Sequence, residues 1–235
     1  IVESSFHGRA RLEGHDVGYN TIAASGSHAC VLHWTRNDGA VRNGDLILID
    51  AGIEVDSFYT ADITRTLPIS GKFSPAQRAL YMLVYEAQLA GFAAVKPGAI
   101  FSDVNKACQA VLAKGLADMG VLTVTAEESL QPEVGLHRRW TLHGVSHHLG
   151  LDVHDCDKAR EENYRGGILR EGMVLTVEPG LYIQPDDELF APEYRGIGIR
   201  IEDDVIVTAD GCRNLSEDIP RHPDAIESWM ASILG

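Results

Sequence analysis

The chain has 235 residues, of which 45% are hydrophobic and 23% are charged, and its formal net charge is -14. These proportions are typical of a globular protein with a substantial core, whereas the acidic balance argues against a nucleic-acid-binding protein, which would present a basic face. No apolar segment is long enough to span a membrane. Four widely separated cysteines favour reduced, buried thiols in a cytoplasmic protein over a disulfide framework (Cys30, Cys108, Cys156, Cys212).

Strand and helix patterns follow one another without a linker-like segment, which predicts one α+β domain over residues 1–235. Short apolar runs that end on a carboxylate predict buried strands, and Ser74 before Pro75 predicts the start of a helix. The predicted elements, in chain order, are the end of a helix within 1–15, a strand over 46–49, a second strand or hairpin partner over 53–67, helices over 75–95 and 103–119, an irregular segment over 121–140, a charged loop over 157–167, a strand over 173–177, a long strand over 197–207 and a helix over 223–234.

One sequence pattern occurs twice. Residues 44–52 and 172–180 each contain a Gly, five mostly apolar residues, a carboxylate, one further residue and a second Gly. The carboxylates are Asp50 and Glu178, and each pattern is followed by a strand that carries another carboxylate, at Asp62 or at Glu202. The repetition predicts two related halves. Coincidence is the alternative, because strand–turn patterns of this kind are common.

Residues 143–155 hold four histidines and two aspartates. Neither a solvated surface nor an apolar core requires histidine at this density. Metal sites and proton-transfer sites use both residue types. This run is therefore the first candidate for the place where chemistry occurs.

Four acidic residues lie at strand positions where burial is costly. Asp50 and Glu178 directly follow apolar strand residues, and alternation places Asp62 and Glu202 on polar strand faces. Any one of these acids alone is better explained by a backbone cap or an arginine partner. Together with one histidine, however, the four would be neutral around two divalent cations, and a mostly oxygen ligand set suits Mn²⁺, Co²⁺ or Fe²⁺. Two such ions can hold a hydroxide against a carbonyl, so the set predicts a hydrolase.

Six segments resemble the pita-bread metallopeptidases, in particular their proline-specific branch, the Xaa-Pro aminopeptidases (aminopeptidase P) and prolidases. The segments lie between residues 19 and 207 and are His33–Thr35, Ile49–Gly52, Ala61–Thr66, His143–Asp155, Val177–Tyr182 and Arg195–Asp203. The resemblance implies an α+β fold with pseudo-twofold related halves around a curved antiparallel sheet. It also implies hydrolysis of the bond between an N-terminal residue and a following proline, through a hydroxide that bridges two metal ions.

The same resemblance implies the metal ligands. Asp50 would chelate one metal, Asp62 and Glu202 would bridge both, and His147 and Glu178 would complete the second. Glu178 would also accept the proton of the bridging water. The expected ions are Mn²⁺, with Co²⁺, Fe²⁺ or Zn²⁺ as alternatives.

The residues expected to meet the substrate come from three separate segments. His143 and His154 would take part in catalysis, His154 by steadying the tetrahedral intermediate through a hydrogen bond. Both would also line the substrate site, together with His33 and Tyr19.

Two further residues would support the site from behind. Arg200 would orient Glu202 or its neighbours, and Tyr182 would lie near the proton-transfer path. His148 is expected to be structural or solvent-facing. The remaining histidines match no motif and are expected at the surface (His7, His15, His28, His137, His222).

Two features depart from the family pattern. The segment between Asp50 and Asp62 is one residue longer than in many relatives, which leaves Asp56 as an alternative ligand. Asp56, however, lacks the Ile-Thr-Arg-Thr sequence that follows Asp62. The N-terminal domain that proline-specific members usually carry is expected to be absent.

The segments 178–182 and 195–203 favour an Xaa-Pro aminopeptidase, with prolidase as the alternative and methionine aminopeptidase third. A non-catalytic, peptide-binding module of the same fold is a further alternative, although such modules usually lose metal ligands. The expected partners are peptides with proline at the second position, and neither nucleic acid nor a membrane. A homo-oligomer stays open.

Overall fold

The computed structural model describes residues 1–234 and the side chains of residues 1–233. Helices and strands are mixed along the chain, as the α+β prediction requires. The elements are α1 (Val2–Glu13), β1 (Asp16–Val17), β2 (Ile22–Ser25), β3 (Leu46–Ala51), β4 (Ile53–Glu54), β5 (Ile63–Pro68), α2 (Pro75–Ala94), α3 (Phe101–Asp118), α4 (Ala126–Ser129), β6 (Val174–Val177), β7 (Gly180–Tyr182), β8 (Gly198–Arg200), β9 (Asp203–Val207), β10 (Cys212–Asn214) and α5 (Pro223–Leu234). Short 3₁₀ helices cover Gly26–Cys30, Leu136–Arg139 and Pro192–Tyr194.

Helix α2 begins where the sequence predicts, because its first turn is fully capped. The Ser74 hydroxyl accepts a hydrogen bond from the Gln77 N–H (3.2 Å), and the Gln77 side chain accepts one from the Ser74 N–H (2.9 Å). Pro75 fills the first helical position, where no N–H is needed. The apolar face from Leu80 to Ala87 is buried in the main core, against α3 and β6.

The longer strands form two three-stranded antiparallel sheets. In the first half β3 lies between β2 and β5, and in the second half β9 lies between β6 and β10. The strands β3 and β6 carry the repeated sequence pattern. β3 pairs with β5, which directly follows Asp62, and β6 pairs with β9, which directly follows Glu202. The halves match in this pairing, as the repeated sequence pattern predicts, although β3 is central in its sheet and β6 lies at an edge. A bridge between Thr64 and Glu202 joins the two halves at their centre.

Two predicted strands are wrong in their extent. The segment 53–67 is not one strand, because a turn in which Phe58 N–H bonds to the Val55 carbonyl (2.7 Å) separates β4 from β5. The segment 197–207 is also divided, because β8 pairs with β7 whereas β9 pairs with β6. Between them the chain crosses from one pairing partner to the other, and Glu202 bonds to Thr64 instead.

The cysteines are free thiols, and Cys30 and Cys108 are buried as predicted. The prediction of burial is wrong for Cys156, which is exposed because it lies in the irregular loop after Asp155. Among residues 1–234, no helix is both long enough and apolar enough to span a membrane.

Gly52, directly after β3, is required by a close approach of two chain segments. A Cβ atom built there would lie 1.7 Å from the Ala61 carbonyl oxygen, and backbone cannot move aside as a flexible side chain can. We expect Gly52→Ala to lower the free energy of unfolding by about 3 kcal/mol in denaturant titrations, as overpacking does. Gly8→Ala is the matched control: nothing lies within 4 Å of a Cβ there, so this helical substitution should stabilise by about 0.5–1 kcal/mol. Equal stability of the Gly52→Ala and wild-type proteins would contradict the close approach.

Candidate active site

A cavity of about 820 Å³ opens between the two halves of the fold. Its wall contains every residue that the sequence singled out for metal binding or substrate contact, together with Arg200. These residues are Tyr19, His33, Asp50, Asp62, His143, His147, His154, Glu178, Arg200 and Glu202. Tyr182 lies behind the wall, fully buried, and reaches the site through hydrogen bonds. The structure thus brings together residues that are up to 183 positions apart in sequence (from position 19 to position 202).

His147 lies at the centre of the acidic cluster. Its Nε2 atom is 3.3 Å from an Asp62 oxygen, 3.5 Å from a Glu178 oxygen and 4.0 Å from a Glu202 oxygen. Its Nδ1 atom lies 3.1 Å from the His148 carbonyl oxygen, and a bond there requires the proton on Nδ1. Nε2 is then the nitrogen directed at the carboxylates, and in the neutral ring it is the one available to a metal ion, which is the arrangement that metal-binding histidines adopt.

The backbone around His147 is fixed by strand β6. The His147 N–H donates to the Thr176 hydroxyl (3.2 Å), and the Thr176 N–H donates to the His147 carbonyl (2.9 Å). Two residues before His147, the Val145 N–H donates to the side chain of Asn105 on α3 (3.2 Å). Neither Thr176 nor Asn105 was predicted as a site residue, since a single polar residue in a buried strand or a helix carries no signal by itself.

Asp50 is held from two sides. The Arg200 guanidinium donates to one of its oxygens (2.6 Å), and the Tyr19 hydroxyl donates to the other (2.5 Å). The Tyr19 oxygen also contacts an Asp62 oxygen. A phenol has one proton, so it satisfies only one of the two carboxylates at a time, and the pair of acids has a deficit of positive charge.

The sequence predicted that Arg200 orients Glu202 or a neighbouring site residue. In the structure Arg200 bonds to the neighbouring Asp50 and not to the Glu202 side chain. Glu202 is oriented instead by Thr64, whose hydroxyl donates to a Glu202 oxygen (2.6 Å). Thr64 stands opposite Asp50 in the pairing of β3 with β5. One threonine therefore lies beside an acid from each half.

His143 faces the second side of Glu178. Its Nδ1 atom lies 3.4 Å from a Glu178 oxygen, and its Nε2 atom lies 2.7 Å from the Tyr182 hydroxyl. Arg200 donates to the same hydroxyl (2.9 Å). Burial and the Arg200 charge lower the pKa of His143 to about 3, so the ring is neutral near pH 7.

His154 and His33 lie at the exposed side of the cavity. The His154 ring centre is 4.3 Å from that of His147, in an edge-to-face arrangement. His33 lines the cavity on a loop of the first half and is exposed. Both rings are therefore accessible to a molecule that enters the cavity.

Two of the other histidines are packed against their neighbours and do not line the cavity. His148 packs against Phe101 and Tyr164, as a structural residue should. The surface prediction is wrong for His137, which is buried because its Nδ1 atom and N–H bond to Ser129. Asp56, the alternative to Asp62, is exposed on the turn between β4 and β5.

The cluster lacks positive charge when it holds no metal. Burial raises the pKa of Glu202 well above its usual range, and the charges of Asp62, Glu178 and Asp50 add to the shift. Burial likewise raises the pKa of Glu178 to about 7. Burial acts to lower the pKa of His147, but its hydrogen bond to Asp62 and the charge of Glu178 outweigh it and raise that pKa to about 9. Bound protons therefore neutralise part of the negative charge of the cluster, as a bound cation would.

The donor set fits a divalent cation. One atom each from Asp62, His147 and Glu202 lies within 4.8 Å of the others, and Asp50 and Glu178 border the same space. Oxygen donors with a single imidazole suit hard or borderline ions, and the positive charge of such ions would relieve the repulsion among the acids.

Comparison with known proteins gives the family of the chain. The model of metallopeptidase family M24 matches residues 2–209. Xaa-Pro aminopeptidase 1 of Streptomyces coelicolor is 58% identical over 234 residues, which are 100% of this chain and 47% of the relative. The Xaa-Pro aminopeptidase of Escherichia coli is 44% identical over 91% of this chain and 47% of its own length. The chain spans about half the length of these curated relatives.

Solved structures agree in the fold. Pseudomonas aeruginosa aminopeptidase PepP superposes with a TM-score of 0.91 at 41% identity, over 98% of this chain and 52% of that chain. A glutamate-to-alanine variant of Escherichia coli aminopeptidase P in complex with substrate superposes with a TM-score of 0.89 at 42% identity, over 97% of this chain and 50% of that one. The fold and site define a metallopeptidase with the pita-bread architecture. The chain belongs to metallopeptidase family M24.

Metal binding should depend steeply on pH. Mn²⁺ must displace the protons of His147 and Glu178, whose pKa values are about 9 and about 7, so protons compete more strongly as the pH falls. We expect the affinity for Mn²⁺, measured by titration calorimetry, to fall by about 100-fold or more between about pH 8 and about pH 6. Circular dichroism of the metal-free protein at both pH values controls for unfolding. An affinity that does not change over this range would contradict the protonation of the cluster.

Proposed function

We propose that this protein is an Xaa-Pro aminopeptidase, a hydrolase that removes an N-terminal residue from a peptide with proline in the second position. The observation that carries the proposal is the convergence of Asp62, His147 and Glu202 on one point of the cavity wall. The relatives that are 58% and 44% identical to this chain carry the same activity in their names. Residues 1–235 would form the catalytic domain.

We propose further that the site takes two divalent ions, preferably Mn²⁺. Asp50, Asp62 and Glu202 would hold one ion, and Asp62, Glu202, His147 and Glu178 would hold the other. Four carboxylates close together need about that much positive charge, and among the described side chains Arg200 is the one arginine that forms an ion pair with them. Bound divalent ions supply Lewis acidity, which activates water and polarises a scissile carbonyl.

The side chains around the cluster would divide the remaining work. Glu178 lies between His147 (3.5 Å) and His143 (3.4 Å), so its carboxylate is placed to take up a proton beside the cluster and return it within one catalytic cycle. His143 is neutral and held by Tyr182, so it can offer a hydrogen bond without carrying charge. His154 and His33, at the exposed side, would contact the substrate, and His154 would stabilise negative charge that develops on its carbonyl oxygen.

The dipeptidase activity of a prolidase is the second candidate. The relatives named above are aminopeptidases, which favours the first proposal. The cavity, at about 820 Å³, also leaves room for a peptide longer than a dipeptide. A non-catalytic module is disfavoured, because the five predicted ligands are present and face one cavity. The cytoplasmic location and a homo-oligomer stay predictions.

The activity is testable with two peptides. Purified full-length protein loaded with Mn²⁺ should hydrolyse an Xaa-Pro-Yaa tripeptide, and excess chelator should abolish the reaction. Hydrolysis is followed as release of the N-terminal amino acid. Efficient hydrolysis of the Xaa-Pro dipeptide with no hydrolysis of the tripeptide would instead establish the prolidase.

Asp62 and Asp56 form a matched pair for the site itself. Asp62→Ala should reduce tripeptide hydrolysis more than about 100-fold and lower the number of bound Mn²⁺ ions, because it removes a ligand. Asp56→Ala removes an acid from the same turn at an exposed position, and it should retain both activity and metal content. Full activity of Asp62→Ala would refute the ligand assignment, and metal measurements on wild-type protein that find less than about one ion per chain would refute two-ion binding.

A further inference from the structure

Asp204 is a buried acid next to the cluster that none of the proposed steps uses. It lies in β9, two residues after Glu202, and only 5% of its surface is exposed. It does not line the cavity wall described above. Its side chain is therefore available for a role that does not involve direct contact with substrate.

One oxygen of Asp204 reaches the main chain of Asp62. The Asp62 N–H donates to the Asp204 Oδ2 atom (3.0 Å), just before β5 begins. On the other side of the strand, Asp203 pairs with Arg65 (2.7 Å) and takes no part in this contact. Adjacent strand residues point to opposite faces, so Asp204 faces the site and Asp203 faces away.

Thr176 stands opposite Asp204 in the pairing of β6 with β9. Paired residues on neighbouring strands project on the same face of a sheet. Thr176 accepts the His147 N–H (3.2 Å), just as Asp204 accepts the Asp62 N–H. Two neighbouring side chains on one sheet face therefore hold the main chains of two residues of the cluster.

A purely stabilising role accounts poorly for Asp204. Its Oδ1 atom is buried and has no hydrogen-bond partner among the described residues. A carboxylate that is incompletely hydrogen-bonded is costly to bury, and Asp62 and Asp203 add like charge nearby. Folding alone would be served better by an apolar residue at this position.

We propose that Asp204 is a positioning residue for the metal site: it fixes the main chain of Asp62 so that the Asp62 carboxylate meets His147 and Glu202. The role requires a hydrogen-bond acceptor at this position. It rests on the proposed function, because it presupposes that Asp62 binds metal. The contact acts through the backbone of Asp62, so Asp204 needs no contact with the ion or the substrate.

The test compares two substitutions in the full-length protein. Asp204→Ala removes the acceptor, and the affinity for Co²⁺, followed by titration calorimetry and visible absorption, should fall by about 10- to 100-fold with a changed spectrum. Asp204→Asn keeps a carbonyl oxygen that can accept the Asp62 N–H. Its Co²⁺ affinity should stay within about threefold of wild type.

Ser216→Ala is the control for general destabilisation, because the Ser216 hydroxyl accepts the Asp204 N–H (3.3 Å) and does not contact Asp62. It should lower the melting temperature but leave the Co²⁺ spectrum unchanged. Wild-type Co²⁺ affinity in Asp204→Ala overturns the positioning role, and an Asp204→Asn protein as weak as Asp204→Ala overturns the acceptor mechanism. A wild-type protein that binds no Co²⁺ at all instead overturns the proposed metal site.

Discussion

The constraint on which this structure depends is the repulsion among acids that share one buried space. Asp50, Asp62, Glu178 and Glu202 face the same cavity, and one arginine, Arg200, forms an ion pair with them. Desolvation penalises each negative charge, and each neighbour increases the penalty. Packing and hydrogen bonds elsewhere in the fold must therefore hold the acids together. Their combined negative charge makes the site strongly attractive to cations.

The two halves of the fold together bring the acids into one place. Each half contributes one acid at the end of an apolar strand and one beside the strand that pairs with it, so neither half alone assembles the cluster. Helix α2 covers the strands from behind and α3 packs against α2, so the two helices exclude water from the back of the site. The side chain of Gln88 in α2 donates to the carbonyl of Val177 and to the carboxylate of Asp203, which ties the helix to the strand before Glu178 and to the strand after Glu202.

The sequence predicts the residues of the site better than the path of the chain between them. Apolar runs that end on an acid predict β3 and β6, and the capping pattern at Ser74 predicts α2, because these signals are local. Strand breaks such as the one at Glu202 depend on which partner each segment finds in space, and no local pattern carries that information. The same limit applies to Thr176 and Asn105: their role comes from a contact with a distant backbone, and residue type alone does not reveal it.

Thr64 has a consequence for the rigidity of the whole molecule. Its carbonyl accepts the Glu202 N–H (3.1 Å) while its hydroxyl binds the Glu202 side chain, so the seam between the halves is closed by both main chain and side chain. Behind it, Arg65 bonds to the carbonyls of Thr64 and Glu202 together (2.9 and 2.7 Å). These hydrogen bonds join the two halves where β5 meets the segment at Glu202. The distance between the chain segments at Thr64 and Glu202 is therefore set by hydrogen-bond lengths within the protein and does not depend on a bound ion.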